Sequence, residues 1–527
     1  MVFTAGVPAR EPRHVHFLGI GGSGLSALAH IQLARGDTVS GSDQEDSPRV
    51  SALRAAGARV RTGPAADPAA LAAEFDGVDV VVASSALPDD HPEVLAARAA
   101  GVPLARRSEW LPALTAGFDL VAVAGSHGKT TTSSMLTVIL RAAGLDPTAV
   151  IGAEVPALAR PGTGPGTGPG TGLTAGPGSG TGGIVGAGRV FVLEADEYGG
   201  AFAGLEPLVA VVTNVEWEHP DLFPDAAAVR TAFAGFLRRV RPGSAGGRMI
   251  VCFDDPGARA TVTLAAETAA VTEAPALIGY GLAEAPAPGW APRWRAVNVS
   301  QDAAGAKATI TRDGYPVATL SLALPGEHMV RNALAALAAA AELGVDPAAA
   351  AAALGTFTGA ARRFTPVGAL PAVPGRHGPV EVIDDYAHHP TEIRATLAAA
   401  RARAGERAVW AIVQPHTYSR LAALLDDFAE AFGSADRVYV TDIYAAREKN
   451  DLGLHARQLA ERITAPADVA YVAWADLVGR LTADAGAGTA PTGLLILTLG
   501  AGTITAVGPA FLAGLSPSSD GSGREEV

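Results

Sequence analysis

The 527-residue chain is too long for a single core and carries a net charge of −13, one cysteine and no run of lysine and arginine. Two to four domains are expected, and the charge argues against a nucleic-acid surface. Hydrophobic residues make up 48 % of the chain, yet its apolar stretches break well short of the roughly 18 residues of a spanning helix, which argues against membrane insertion. The start, MVFTAGVPAREPRHVHFLGI, lacks the basic, apolar and small-residue order of a signal peptide, and Cys252 alone makes no internal disulfide. A cytoplasmic setting is expected.

In chain order, HVHFLGIGGSGLSALAHIQLARG reads as strand, glycine turn and helix. TVSGSD and VDVVVASSAL add strands, giving a nucleotide-binding α/β domain over residues 1–117. Gly19, Gly21 and Gly24 form G-x-G-x-x-G, and Asp43 follows about 19 residues later. That spacing suits a diphosphate at a helix N-terminus with an acid on a ribose or a neighbouring group. The motif does not decide between a nicotinamide dinucleotide and another nucleotide diphosphate, and a plain tight turn carries the same glycines.

A second unit, residues 118–358, opens with the strand LVAVAG and the helix TTTSSMLTVILRAAG. Between them lies GSHGKT, a phosphate loop shorter than G-x-x-x-x-G-K-[ST], since Val123 stands where that pattern has its first glycine. Backbone N–H groups and Lys129 suit β- and γ-phosphates, and Thr130 offers a hydroxyl to Mg²⁺. Residues 161–183 are a Gly-Pro-Thr tract unable to bury a core, and are expected to form a disordered surface insert. The strands of RVFVLEADEYGG and LVAVVTNVEWEH follow, and their ends should meet the phosphate loop. Glu194 is a candidate Mg²⁺ ligand. Asp196, Glu197, Glu216 and Glu218 also read as solvated loop charges, and His219 as a loop or core histidine.

A third α/β unit, residues 359–514, carries AARRF and the strands of VEVIDDYAHHP, AVWAIVQPH, DRVYVTDIY and LLILTLG; a disordered tail, 515–527, is expected beyond it. No H-E-x-x-H zinc spacing or Ser-His-Asp pattern is present. His388 and His389 read equally as a helix-start pair, and Arg362, Arg363 and Arg420 as anion clamps or surface cations.

Taken together, HFLGIGGSGLSALA, VSGSD, VVASSAL, GSHGKTTT, EADEYGG, TNVEWEHPD, PGEHMVRNALAA, RRF, VIDDYAHHPTE, QPHTYSR, DIYAAREK and LTLGAG stand in an order that resembles the ATP-dependent Mur ligases of bacterial cell-wall precursor synthesis. The resemblance covers nearly the whole chain. It implies three α/β domains: an N-terminal Rossmann-like UDP-sugar domain, a central P-loop ATPase-like domain and a C-terminal Rossmann-like domain. It further implies a ligase, using ATP and Mg²⁺, that joins L-alanine to the lactyl carboxylate of UDP-N-acetylmuramate through an acyl phosphate. A monomer or homodimer is expected. A recycling ligase that adds a tripeptide to the same sugar is the alternative, and an NAD-dependent oxidoreductase or a non-catalytic sensor are remoter ones.

Carried over motif by motif, the resemblance puts the UDP-sugar on Gly19, Gly21, Gly22, Ser23, Gly24, Ser42, Asp43, Ser84 and Ser85. ATP falls to Gly125, Ser126, His127, Gly128, Lys129, Thr130 and Thr131, with His328 and Asn332 on the adenine side. Thr130, Glu194 and His219 take magnesium; Lys129, Glu194, His219, Arg363, His389 and Arg420 form the catalytic set; Tyr386 and His388 face acceptor or phosphate. Met329 stands where the family commonly has asparagine, which implies one polar adenine contact fewer, and Ser126 where threonine is common. EADEYGG and NVEWEHPD also depart from the most frequent forms.

Because residues 163–182 carry no core-forming pattern, their deletion is expected to leave kcat for phosphate release nearly unchanged; a large loss would give the tract a role.

Overall fold

The computed structural model describes residues 11–64, 68–158, 182–267, 274–373, 378–487 and 492–516. The expected insert lies outside these except for Gly182 and Gly183, and the expected tail except for Leu515 and Ser516. Gly183 belongs to a short strand, Gly183–Ile184, that pairs antiparallel with Thr148–Val150.

The first sheet has five parallel strands in the order Arg59–Thr62, Thr38–Asp43, His14–Leu18, Val80–Ala83, Leu104–Arg106. The chain order reverses beside His14–Leu18, so a crevice opens at the carboxyl end of that strand, where open α/β sheets bind ligands. The glycine turn sits there. Gly19 is left-handed (φ +79°), and a Cβ on Gly21 would lie 2.9 Å from Asp43 Oδ2.

The second sheet has ten strands, in the order Tyr315–Leu322, Gly305–Arg312, Trp294–Asp302, Ala276–Gly281, Arg248–Cys252, Val209–Val212, Asp119–Ala124, Val190–Glu194, Thr148–Val150, Gly183–Ile184. Its central strands are parallel and read as unbroken apolar runs, because helices cover both faces. Val121 and Val123 pack with the helices Lys129–Ala142 and Glu327–Glu342, whereas Leu120 and Ala122 pack with Ala226–Leu237 and Pro256–Glu267. The Ala333–Ala340 stretch of Glu327–Glu342 is wholly buried, its small side chains letting that helix lie close on Lys129–Ala142.

The third sheet runs Thr365–Leu370, Val380–Asp385, Leu494–Leu499, Ala408–Val413, Arg437–Val440, Val469–Tyr471, parallel but for its first edge strand. Apolar packing is continuous from the first unit into the second and from the second into the third. Side chains that follow the strands Val209–Val212, Val380–Asp385 and Ala408–Val413 meet in one junction: Thr391 donates to Glu216 and Arg420 to Glu218, with His388 beside Glu218.

In the first sheet, His16 is buried with Nδ1 2.9 Å from Ser40 Oγ, while its Nε2 has no hydrogen-bond partner among the described residues. Burial pushes its pKa from 6.5 down to about 4. Between these values the unfolded chain binds the extra proton, so stability rises as pH rises from about 4 to 6.5. Thermal midpoints measured across this range should climb, and His16→Asn should flatten the climb.

Candidate active site between the second and third sheets

The shortened phosphate loop closes because the neighbouring strand end holds it. Val123 is still strand and fully buried, so the turn begins at Gly125. A Cβ there would lie 1.9 Å from Thr213 Oγ1, and one on left-handed Gly128 (φ +79°) 2.6 Å from Asn332 Oδ1. His127 N–H donates to Asn214 Oδ1 (2.8 Å), His127 carbonyl accepts from Thr213 Oγ1 (2.5 Å), and Glu216 N–H donates to Ser126 Oγ (2.9 Å). Lys129 and Thr130 then open the helix, and Thr131 is buried behind them.

Lys129 Nζ donates to the carbonyls of Gly125 (2.6 Å) and Ser126 (3.2 Å) and to Glu197 Oε2 (2.8 Å). Burial works against its charge, but Glu197, Asp196 and Glu218 raise its pKa above the ordinary range, so it remains an ammonium. Glu194 accepts from Thr130 Oγ1 (2.8 Å) and from Gly152 N–H. The reading of Glu197 and Glu218 as solvated loop charges is corrected here: they are 3 % and 5 % exposed, shielded by the third unit and the phosphate loop. Burial pushes the Glu197 carboxyl upward against the pull of Lys129, and its Oε1 has no hydrogen-bond partner among the described residues. His219, left-handed at φ +55°, places Nε2 3.6 Å from Glu197 and 3.8 Å from Glu218. Thr130 with Glu194, and Glu197 with Glu218 and His219, form two donor groups rich in oxygen, the chemistry that suits Mg²⁺.

From the third unit, Arg363 lies between left-handed Arg362 (φ +59°) and Phe364 (φ +53°). Its guanidinium covers the Tyr386 ring at 5.0 Å and donates to Glu392 Oε1 (3.3 Å). His388 Nε2 is 3.3 Å from Glu218. His389 caps the helix Pro390–Ala404, its Nδ1 accepting from Thr391 N–H (3.3 Å), and its buried Nε2 has no hydrogen-bond partner among the described residues. Burial, with the charge of His127 beside it, pushes the His389 pKa down to about 4, which leaves the ring neutral. Arg420 is 3 % exposed and donates to Glu218 Oε1 (3.0 Å), with His416 Nδ1 at 2.8 Å. The surface-cation reading of Arg420 therefore fails. Thr417, left-handed at φ +65°, caps the short helix that carries it.

Three family models match the chain in order: Mur ligase family, catalytic domain, over residues 14–119; Mur ligase middle domain over 123–340; and Mur ligase, glutamate ligase domain, over 362–502. A Frankia casuarinae protein named UDP-N-acetylmuramate--L-alanine ligase is 58 % identical over 97 % of this chain and 99 % of its own length. The chain belongs to the Mur ligase family. A Frankia alni protein of the same name is 50 % identical over 97 % of this chain and all of its own. The crystal structure of UDP-N-acetylmuramate-alanine ligase MurC from Thermotoga maritima superposes with a TM-score of 0.69 at 25 % identity, covering 95 % of this chain and 98 % of that one.

In this Mur ligase, the remaining sequence-derived residues fall at two places. Asn332 abuts Gly128 of the phosphate loop, and His328, one turn earlier, is pushed down to about 4 by burial. Met329 is 3 % exposed in the apolar core, off the helix face that His328 and Asn332 share. At the first sheet, Asp43 accepts from Gly21 N–H (2.7 Å) and Glu45 N–H (3.2 Å), Ser42 Oγ donates to buried Glu93 (2.8 Å), Ser84 lies against Gly19, and Ser85 is exposed. Gly22 N–H donates to Gly19 carbonyl (3.1 Å), Ser23 begins the helix, and Gly24 abuts Arg107, whose buried Nε has no hydrogen-bond partner among the described residues. Asn214, Glu392, His416 and Arg107 escaped sequence reasoning, although the first three sit inside or beside quoted motifs.

Gly128→Ala must both strain a left-handed backbone and collide with Asn332. Nucleotide-dependent kcat/KM should fall by about tenfold or more, roughly 1.4 kcal/mol of transition-state stabilisation, while circular dichroism shows the fold retained.

Proposed function

We infer that this Mur ligase joins L-alanine to the lactyl carboxylate of UDP-N-acetylmuramate at the expense of ATP, in peptidoglycan precursor synthesis. The observation that carries the reading is the end-to-end likeness, at 58 % and 50 % identity, to proteins named for that reaction. The site suits it. A carboxylate is a poor electrophile toward amines; its attack on the γ-phosphorus of ATP gives an acyl phosphate and ADP, and the alanine amine then attacks the activated carbonyl and expels phosphate. No enzyme nucleophile is needed, which agrees with a site of cations, carboxylates and backbone donors.

Each group takes a role from its position. Magnesium would be held at Thr130 with Glu194 and, at a second site, by His219 with Glu197 and Glu218, and would supply charge neutralisation at phosphate oxygens. The phosphate loop offers its backbone N–H groups and Lys129 to the β- and γ-phosphates, with His328 and Asn332 toward adenine. Neutral His389 presents an Nε2 that has no hydrogen-bond partner among the described residues, fit to donate to an oxygen of the reacting group. Arg363 and Tyr386, stacked together, face the acceptor side with His388, and Arg420 orders that side through Glu218. The glycine turn at Gly19–Gly24, backed by Arg107, receives the diphosphate of the UDP-sugar. No helix among the described residues is long and apolar enough to cross a membrane, in keeping with a reaction on cytoplasmic nucleotides.

The test is phosphate release from ATP and Mg²⁺ with UDP-N-acetylmuramate, comparing L-alanine with the tripeptide L-Ala-γ-D-Glu-meso-diaminopimelate. Release with L-alanine, abolished in a folded Lys129→Ala variant, is expected. Release with the tripeptide alone would move the chain to recycling, and silence with both would overturn the ligase reading.

A further inference from the structure

The junction is held by an exchange of charges that runs in both directions. Carboxylates of the second unit take donors from the third: Glu216 accepts from Thr391 Oγ1 (2.7 Å), and Glu218 from Arg420 (3.0 Å), with His388 Nε2 3.3 Å away. One carboxylate points the other way. Glu392, on the first turn of Pro390–Ala404, has a side chain 10 % exposed, and its Oε1 stands 3.3 Å from Arg363 Nη1 and 3.5 Å from His127 Nδ1.

The other oxygen of Glu392 has a local task, accepting from the N–H groups of His388 (3.0 Å) and His389 (3.3 Å) as the acid of a capping box. Glutamine serves that task as well as glutamate. What glutamine cannot supply is the negative charge, which Arg363 and His127 share at Oε1 and which the His388 imidazole meets at Oε2 (3.3 Å). His127 is buried among carboxylates, with Glu216 Oε2 3.3 Å from its Nε2 and Glu392 Oε1 3.5 Å from its Nδ1. The contact with Glu392 is a long one: His127 Nδ1 faces its Oε1 at 3.5 Å. The main chain of His127 is pinned by Thr213 and Asn214, so its imidazole projects from the phosphate loop into the third unit as a fixed reporter.

We propose that Glu392 is a positioning residue that couples the phosphate loop to the third domain, holding Arg363 and the His127 imidazole on one carboxylate oxygen so that nucleotide binding and acceptor-side alignment occur together. The coupling rests on the ligase reading for its purpose but not for its measurement, because it is read first as nucleotide affinity.

The experiment is a double-mutant cycle on the full chain with Glu392→Gln and His127→Gln, measuring the Kd for Mg²⁺·ATP by fluorescence and kcat by phosphate release, with thermal midpoints alongside. Each single variant is expected to weaken ATP binding about tenfold and to lower kcat by at least as much, and the double variant to be no worse than either single one. An unchanged Kd in either single variant, or a double variant whose loss is the product of the two, overturns the proposal. Should Glu392→Gln fold poorly, Glu392→Asp, which keeps the charge but withdraws it, takes its place in the cycle. A cycle that shows the expected non-additivity in Kd, together with a wild-type chain that turns over no acceptor, would leave the coupling standing and remove the ligase reading.

Discussion

A charge taken out of water destabilises a fold unless a partner meets it, and the junction of the second and third sheets takes many out at once. Lys129 is met by Glu197, Arg420 by Glu218, and His127 by Glu216 and Glu392. Of these pairs, only Lys129–Glu197 and His127–Glu216 lie within one unit. The others exist because two units are seated against each other, so the charges gathered at the site also fix where the third domain rests.

The same constraint explains what each layer of the molecule is for. The second sheet supplies a phosphate loop whose shape is set by Thr213 and Asn214 rather than by a longer glycine run, which is why Val123 can stay in the core. The third sheet supplies a helix start, His389 to Glu392, aimed at that loop. The first sheet stands apart with its own glycine turn, clamped by Asp43, and touches the second through continuous apolar packing.

Much of this was legible in the sequence. Strand-turn-helix patterns mark both glycine loops, because local periodicity and turn chemistry decide them. Glu194 and His219 were legible as strand-end groups. Glu197 and Glu218 were not separable from solvated charges, since an acid at a strand end looks the same whether water or another domain covers it. Glu392 hid for the opposite reason: it has a complete local explanation as a helix cap, and its contacts with Arg363 and His127 depend on residues 29 and 265 positions away by numbering. Met329 shows the limit of motif comparison. Its departure from the family pattern suggested a lost polar contact, but its side chain lies in the core.

Four non-glycine residues with left-handed backbones, His219, Arg362, Phe364 and Thr417, sit around this one junction. Each conformation costs on the order of 1–3 kcal/mol and persists only where its surroundings over-determine it. A campaign to make the protein more heat-resistant by relaxing uncomfortable backbone would select these four positions first. It would gain stability where the main chain aims Arg363, Arg420 and His219 into the junction, and so would harden the scaffold while loosening the aim of these three side chains.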